Sequence, residues 1–421
     1  MNESYELEVD EKGHAKISSH SVWGILKGLE TFSQLLVNVG QNQFQIQVVK
    51  ISDAPRFPHR GMMIDSSRHF LPLSSIYQTL DAMEMNKLNA LHWHLVDDQS
   101  FPFVSETFPQ LHQHGAYNAE THIYTKADVA AVIEYARLRG IRVIAEFDTP
   151  GHTRSWGRGV SGLLTQCFDA HHKAVPNSFG PLDVTKNATY EFVEKLFEEI
   201  VGRFPDQYTH LGGDEVNFQC WASNPQVQAF MREHALGTDY RRLESYYIQK
   251  LVQIVERLKR SYIVWQEVFD DGVQLQADTV VQVWKGHEGQ WMGEMERVTA
   301  RGFKVLLSSP WYLNHIAYGT DWNRLYQADP LHFNASAAAH KQLVMGGEAC
   351  MWGEWVDASN LISRTWPRAS AVAERLWSPQ HVNSVNQARP RFNHQHCRMQ
   401  VLGLRVQPNE GPGYCACDHA M

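Results

Sequence analysis

The chain has 421 residues, 43% of them apolar and 20% charged, enough to bury a large core and long enough for one big domain plus a smaller one. Its 38 basic and 46 acidic residues leave a formal charge of -8, and no basic run or basic-aromatic stripe is present, which excludes nucleic acid as an expected partner. No apolar stretch approaches the roughly 18 residues needed to cross a bilayer, and the opening MNESYELEVD lacks the charged-then-apolar layout of a secretory leader; the sequence therefore predicts a soluble chain without stable membrane insertion or a leader of its own.

The first fifty residues read as strand, turn, strand, helix, strand: YELEV, the turn DEKG, HAKIS, a helix around VWGILKGLETFSQLL, and FQIQVV. Trp23, Leu26, Leu29, Phe32, Ser33 and Leu36 give that helix a mainly apolar face. The fragment is too short to hold a core alone. DAPRFPHRG, with two prolines, is the expected linker, so residues 1–52 read as the end of a truncated α/β domain and 53–421 as the main domain.

From Gly61 onward one pattern repeats: a short apolar strand, a polar cluster at its end, then a connection that usually holds a helix. The strands are expected in GMMIDSSR, NALHWHLVDD, IRVIAEFDTPGH, YTHLGGDE, YIVWQEV, TVVQVW, FKVLLSSP and LVMGGEACMWGE. Between them lie helices such as SSIYQTLDAMEMNK, with Ile76, Leu80 and Met83 on one face, and KADVAAVIEYARLRG, capped by Thr125 and ended by Gly140. Strand-helix alternation repeated eight times predicts an α/β fold of the (β/α)8 TIM-barrel type, which closes a parallel sheet without edges. A doubly wound open sheet is the rival, and no GxGxxG fingerprint follows the first strand to favour it.

Barrel strand ends surround one mouth, so clusters far apart in sequence become neighbours. Here they carry Arg68, Asp97 and Asp98, Asp148 and His152, Asp214 and Glu215, Trp265 and Glu267, Trp284, Trp311 and Tyr312, then Trp352 and Glu354. Two adjacent carboxylates at a strand end permit acid and base work, since close negative charges raise the proton affinity of one. In an unbroken strand Asp214 and Glu215 would point to opposite faces. Both reach the mouth only if the chain leaves the sheet, which Gly212 and Gly213 ease. The plainer reading makes one a helix cap and the other a solvated surface group. Trp265, Trp284, Trp311 and Trp352 offer flat faces that suit a sugar ring or a methyl group, while some of the 13 tryptophans must be structural. Arg68, Asp97 and Glu354 could hold hydroxyls or form ordinary ion pairs. His92 and His94, with His152 and an aspartate, have donors that could ligate a metal; their place below the strand end, and Trp93 between them, favour interior histidines bonded to carboxylates.

Six cysteines, at positions 167, 220, 350, 397, 415 and 417, are too few and scattered for a disulfide-stapled miniprotein, and counting alone allows all to be reduced. Acceptor sequons at Asn2, Asn187 and Asn334 point to a secretory route.

HRGMMIDSSRHF, LHWHLVDDQSFP, EFDTPGHT, HLGGDEVNF, VWQEVF, PWYLN and GGEACMWGEWVD occur in that order and resemble the β-N-acetylhexosaminidases of glycoside hydrolase family 20, particularly the lysosomal-type animal enzymes. The similarity runs from about Tyr5 to Cys415. It implies an exo-acting retaining hydrolase of terminal N-acetylglucosamine or N-acetylgalactosamine, acting on a glycan or glycolipid, a homo- or heterodimer of the lysosome or the secreted space, with no cofactor and no metal. Carried onto this chain, Glu215 is the general acid and base, and Asp214 steadies the substrate's own acetamide, which attacks C1. Trp265, Trp284 and Trp352 resemble the walls of the acetamide pocket, and Tyr312 the donor to its oxygen. Arg68, Asp97 and Glu354 match binders of ring hydroxyls, and His152 a histidine beside the acid. After Tyr312-Leu313 the α-type animal subunit has Asn-Arg and the β-type Asp-Leu; Asn314-His315 lies closer to the α-type and implies pH-dependent acceptance of anionic substrates, because a histidine is cationic only in acid. The resemblance also pairs Cys167 with Cys220 and Cys397 with Cys415, buries Cys350 in the eighth strand, and leaves Cys417 without a partner. The alternative from another class is a sugar-binding homologue that has lost catalysis.

Overall fold

The computed structural model describes residues 2–40, 43–315, 317, 319–416 and 418. Its strands are β1 (Tyr5–Val9), β2 (Ala15–Ser18), β3 (Val37–Gly40), β4 (Gln43–Gln45), β5 (Val49–Asp53), β6 (His59–Asp65), β7 (Ala90–Val96), β8 (Arg142–Phe147), β9 (Leu164–Phe168), β10 (Ala174–Leu182), β11 (Tyr208–His210), β12 (Ser261–Trp265), β13 (Val280–Val283), β14 (Lys304–Leu307) and β15 (Val344–Met351). Eight of them close a barrel in the order β11-β12-β13-β14-β15-β6-β7-β8, every pair parallel. Each is one of the eight runs expected from the sequence. β6 and β7 are buried at every position, as strands packed on both faces require.

The helices that cross back between strands are built as their sequences dictate. Leu73–Met85 buries Ile76, Leu80 and Met83. Lys126–Arg137 starts in a capping box, Thr125 with Asp128, and its exit turns through Gly140 at φ 68°.

The first fifty residues form the antiparallel sheet β2-β1-β5, with Tyr5, Leu7 and Val9 turned inward, and a separate hairpin of β3 and β4. The single strand expected at FQIQVV is split: β4 stops at Gln45, and the edge of the sheet is β5. The helix is Val22–Leu35, capped by Ser21, but its face differs from the apolar stripe. Gly24 and Gly28 lie against the sheet, where an added Cβ would come within 2.3 Å of the Ser4 carbonyl and 2.6 Å of Ile17. Trp23 and Leu26 approach Gly140 of the barrel, whereas Leu29 and Leu36 are exposed. A helix held between two bodies needs two contact surfaces, and glycines supply the closer one.

A buried ion cluster joins the two parts. Glu3 accepts from Arg60 at 2.7 Å and from Asn89 at 2.9 Å, with the Lys27 ammonium 3.9 Å away. β9 and β10 form a hairpin on the excursion after β8 that the strand pattern had not marked. Cys167 on β9 is bonded to Cys220, Cys397 to Cys415, and Cys350 is buried and free in β15; Cys417 lies outside the described residues.

Candidate active site

β11 is short and ends at His210, and the chain then turns out of the sheet at Gly212 (φ 67°) and Gly213 (φ 95°). Only glycine takes these conformations freely. There is also no room for a side chain: a Cβ at Gly212 would sit 1.8 Å from Asp148 Oδ1, and one at Gly213 2.4 Å from Val268. The turn is fixed by Gly212 N–H donating to His210 Nδ1 at 3.1 Å and Gly213 N–H donating to Asp148 Oδ1 at 2.8 Å. Glu215 follows at φ 52°, a strained value for its type. The departure that adjacent carboxylates demand is therefore made, and it gives them unlike surroundings. Asp214 is buried with Oδ1 unpaired, while the Glu215 side chain is 59% exposed.

His152, also left-handed at φ 54°, stands among them. Its Nδ1 is 3.2 Å from Asp97 Oδ1; its Nε2 lies 3.8 Å from Asp148, 3.9 Å from Asp214 and 4.0 Å from Glu215. Burial opposes charge on this ring, but the bond to Asp97 and the nearby Asp214 outweigh it, raising it to about 9. Asp148 goes the other way: burial, then the charges of Asp214 and Glu146, push its carboxyl well above the ordinary range. Asp148 is thus one carboxyl whose proton affinity the cluster raises.

Arg68 ties the ends of β6 and β7 together, donating to Asp65 at 3.0 Å and ion-paired with Asp97 at 2.9 Å, with its guanidinium over Trp352. Asp65 ties the rim together by accepting from the backbone of Ser67, Arg68 and Gly353. Glu354 is exposed and near enough to Arg68 to favour its cation.

The aromatic wall is made by Trp265 with Trp352 (ring centroids 6.0 Å apart), Trp265 with Trp284 (6.3 Å) and Trp284 stacked on Tyr312 (6.0 Å). Trp284 Nε1 donates to Glu267 at 2.9 Å, and Lys285 pairs with the same carboxyl. Burial and the Asp214 charge raise Glu267 to about 7. Trp311 is not part of this wall. It is fully buried, its Nε1 donating to the Leu325 carbonyl, because the 3-10 turn at Ser309–Trp311 aims it into the core. Asn314 is half-buried with Oδ1 unpaired, its carbonyl held by Arg364, and the His315 ring lies 5.7 Å from that of Tyr312.

Three residues carry more of the architecture than the sequence pattern alone indicates. It puts Asp148 at the mouth without a role and singles out neither Asp65 nor Glu146. The signal for Glu146 is a charge inside RVIAEF, two residues before Asp148 and so on the same face of the extended chain. Among the described residues, the donor atoms of Asp148, His152 and Asp214 lie within 4.8 Å of one another and could hold an ion. The pair His92 and His94 is less suited, since both nitrogens of each ring face carboxylates. No helix among the described residues is long and apolar enough to cross a membrane.

Comparison with known proteins places the chain in a family. Residues 1–35 match a model described as β-acetyl hexosaminidase like, and residues 57–380 match the catalytic domain of glycosyl hydrolase family 20. The chain is 55% identical over 414 residues to the β-hexosaminidase subunit beta of Mus musculus, covering 98% of this chain and 76% of the relative. It is 53% identical to the subunit alpha of Bos taurus, covering 98% and 77%. Whole-chain identity therefore does not favour the α-type toward which Asn314-His315 leans. Among solved structures, the Flavobacterium johnsoniae chitobiase superposes with a TM-score of 0.85 at 31% identity, over 96% of this chain and 60% of that one. The Vibrio harveyi exo-β-N-acetylglucosaminidase, in complex with N-acetylglucosamine, gives 0.84 at 26%, over 97% and 68%. On the catalytic-domain match and on its identity to these relatives, the chain belongs to glycosyl hydrolase family 20.

Proposed function

We propose that the chain removes terminal N-acetylglucosamine or N-acetylgalactosamine from glycoconjugates, as an exo-acting, retaining β-N-acetylhexosaminidase in which the substrate's acetamide is the nucleophile. The observation that carries the reading is the unlike placement of the two adjacent carboxylates. Asp214 offers a buried, unpaired oxygen, suited to accept the acetamide N–H. Glu215 is open to the mouth, where a leaving-group oxygen and then water can reach it.

In the first step Glu215 protonates the glycosidic oxygen while the acetamide carbonyl oxygen attacks C1, closing an oxazolinium ring and releasing the aglycone. Asp214 holds the N–H and so fixes the amide's orientation. In the second step Glu215 takes a proton from water, which adds to C1 and reopens the ring with retention. Intramolecular attack gains up to roughly 7–11 kcal/mol from orientation in favourable cases, and in this reading Trp265, Trp284, Trp352 and Tyr312 confine the acetamide for it. Arg68, Asp97 and Glu354 bind ring hydroxyls, and His152 supports the carboxylate pair. A separate glycosidase nucleophile is unnecessary in this scheme, which substrate-assisted families share.

The same reading makes residues 1–52 part of a smaller α/β domain and 53–421 the catalytic barrel, supported by separate family matches on either side of the linker. It makes the protein a homo- or heterodimer, its relatives being named as subunits, and lysosomal or secreted, in keeping with two disulfides and exposed sequon residues Asn2, Asn187 and Asn334.

Aryl glycosides with mono-, di- and trifluorinated acetyl groups provide the test. Fluorine weakens the attacking oxygen, so kcat/KM is expected to fall steeply along the series and to be insensitive to chelator. A flat series would mean a protein nucleophile, and loss of activity with chelator a metal at Asp148, His152 and Asp214. Glu215→Gln should lose most on poor leaving groups, whereas Asp214→Asn should lose on all; identical behaviour would contradict the division of roles.

A further inference from the structure

TIM-barrel interiors are commonly filled by layers of branched apolar side chains. Here the cluster of Ala90, Ile144, Ile263, Val280 and Leu306 follows that rule. Beside it runs an unbroken column of histidines and carboxylates. His59 Nε2 lies 3.0 Å from Glu348, whose other oxygen is 2.6 Å from His92 Nδ1. His92 Nε2 is 2.8 Å from Glu146 Oε2, which is also 2.6 Å from His94 Nδ1. His94 Nε2 is 2.8 Å from Asp97, which faces His152 at the mouth. Space is kept for the column: a Cβ on Gly61 would fall 2.6 Å from Glu348 and 2.8 Å from His59.

Geometry and charge point the same way. His92 and His94 each have a carboxyl oxygen at hydrogen-bond distance on both ring nitrogens. Glu348, Glu146 and Asp97 are held ionised despite burial, by their histidine partners among others, and against ionised carboxylates a neutral ring would set lone pair against lone pair, which favours both rings as cations with two N–H donors. Burial opposes these cations, but the flanking carboxylates overcome it, taking each to about 10. The column alternates in sign: Glu348, His92, Glu146, His94, Asp97. A buried ion array is a poor source of stability, because apolar replacements of similar volume are often neutral or better.

We propose that Glu146 is a remote positioning residue of the hydrolase, holding His92 and His94 as cations that set the electrostatic potential at Asp97, His152 and Glu215, while its second oxygen fixes the Trp265 wall. The inference rests on the proposed role of Glu215. Glu146 is well placed for both tasks, since Oε1 accepts from Trp265 Nε1 at 2.8 Å while Oε2 serves the two histidines. The other groups facing it are His210, which burial lowers to about 3 and leaves neutral, and Asp148 farther along its strand. Asp97 is faced by His94, His152 and Arg68 and by the Asp98 backbone N–H.

Glu146→Gln separates charge from shape. Its amide oxygen can keep the Trp265 bond, and its NH2 can donate to both rings, each of which must then give up the proton facing it. Two positive charges and one negative are removed, so the mouth becomes more negative and its groups hold protons more tightly. Both limbs of the pH profile of kcat/KM should move to higher pH by roughly 0.5–1 unit, the scale of one net charge at an effective dielectric near 20. Glu348→Gln is the control. It is equally buried, but it discharges one carboxylate and one imidazolium farther from the mouth, so the expected shift is below about 0.2 unit.

Equal profiles for the two variants, with activity merely reduced, would overturn the proposal and leave the column a scaffold. An inactive wild type would instead refute the proposed hydrolase. A second measurement does not depend on the variant folding: in 15N-histidine-labelled wild-type protein, His92 and His94 should be protonated at both nitrogens from about pH 5 to 8. A neutral ring at either position would also overturn the proposal.

Discussion

Replacing Gly212 by alanine should nearly abolish turnover while leaving a folded protein. The new Cβ would lie 1.8, 2.2 and 2.6 Å from the Oδ1, Cγ and Cβ of Asp148, a buried side chain held by the Gly213 N–H at 2.8 Å. Ordinary contact begins near 3.4 Å, so the carboxyl must retreat by about 1.5 Å, and that bond is lost. An L-residue at φ 67° costs about 1–2 kcal/mol, and a lost hydrogen bond to a carboxyl that holds its proton about 0.5–1.5. Stability should thus fall by about 1.5–3.5 kcal/mol. At roughly 2 cal/mol/K of unfolding entropy per residue this moves Tm by only about 2–4 °C in a chain of 421 residues. Catalysis is less tolerant. Asp148 buttresses the turn that carries Asp214 and Glu215, and misplacement on the order of 1 Å costs about 100-fold in rate. Gly213→Ala meets one methyl of Val268 at 2.4 Å and nothing else closer than 3.6 Å, so it should cost less than about tenfold. The assay is kcat and KM on an aryl N-acetylglucosaminide beside a thermal melt. A Gly212→Ala enzyme within about threefold of wild type, or equal losses in the two variants, would refute the reasoning.

Stability should peak in weak acid. His92 and His94 are raised to about 10, so their contribution is complete below the unfolded value near 6.5 and is lost as pH rises toward 10. Glu146, Glu348 and Asp97 are depressed despite burial, by their histidine partners among others, so their contribution is complete above the unfolded carboxylate range near 4–4.5 and lost in stronger acid. Thermal melts at fixed ionic strength should show the highest Tm between about pH 4.5 and 6.5; a Tm still climbing from pH 7 to 9 would contradict this. Glu3→Ala should cost about 3–5 kcal/mol in chemical denaturation, since it leaves Arg60 and Lys27 buried without their carboxylate. A loss under 1 kcal/mol would show the cluster to be hydrated. His315 stands beside Tyr312, so the ratio of activity on a 6-sulfated to a neutral aryl glycoside should rise as pH falls, and His315→Leu should flatten that dependence. A pH-independent ratio in the parent enzyme would exclude His315 as the anion's partner.

The barrel could be read from the sequence because its strands are short apolar runs ending in polar clusters, a pattern local to each segment. The features that escaped are those whose cause lies elsewhere in the chain. FQIQVV has strand composition throughout, but β5 is placed where it pairs with β1, which no local property of residues 44–49 encodes. The helix at Val22–Leu35 is similar. Its apolar stripe predicts one contact surface, whereas Gly24 and Gly28 bring the opposite side to the sheet and Trp23 and Leu26 reach the barrel.

At the site the division has the same origin. Asp214 and Glu215 were legible because two like charges behind two glycines form a local oddity, and the turn explains it. Glu146 was not legible, although it touches more of the machinery than some rim residues that were identified. One glutamate in an apolar strand has the appearance of an edge or an exception until the partners that share its carboxylate are known, and these come from β7, β11 and β12. A barrel gathers side chains from alternate strands into each layer, so its interior chemistry is distributed around the ring, while the chemistry of its mouth is concentrated in loops. That difference is why the residues expected to touch substrate form local motifs, while those that would set their charge do not. It also suggests where to look in other barrels: charged residues on inward positions of otherwise apolar strands, taken together as one set.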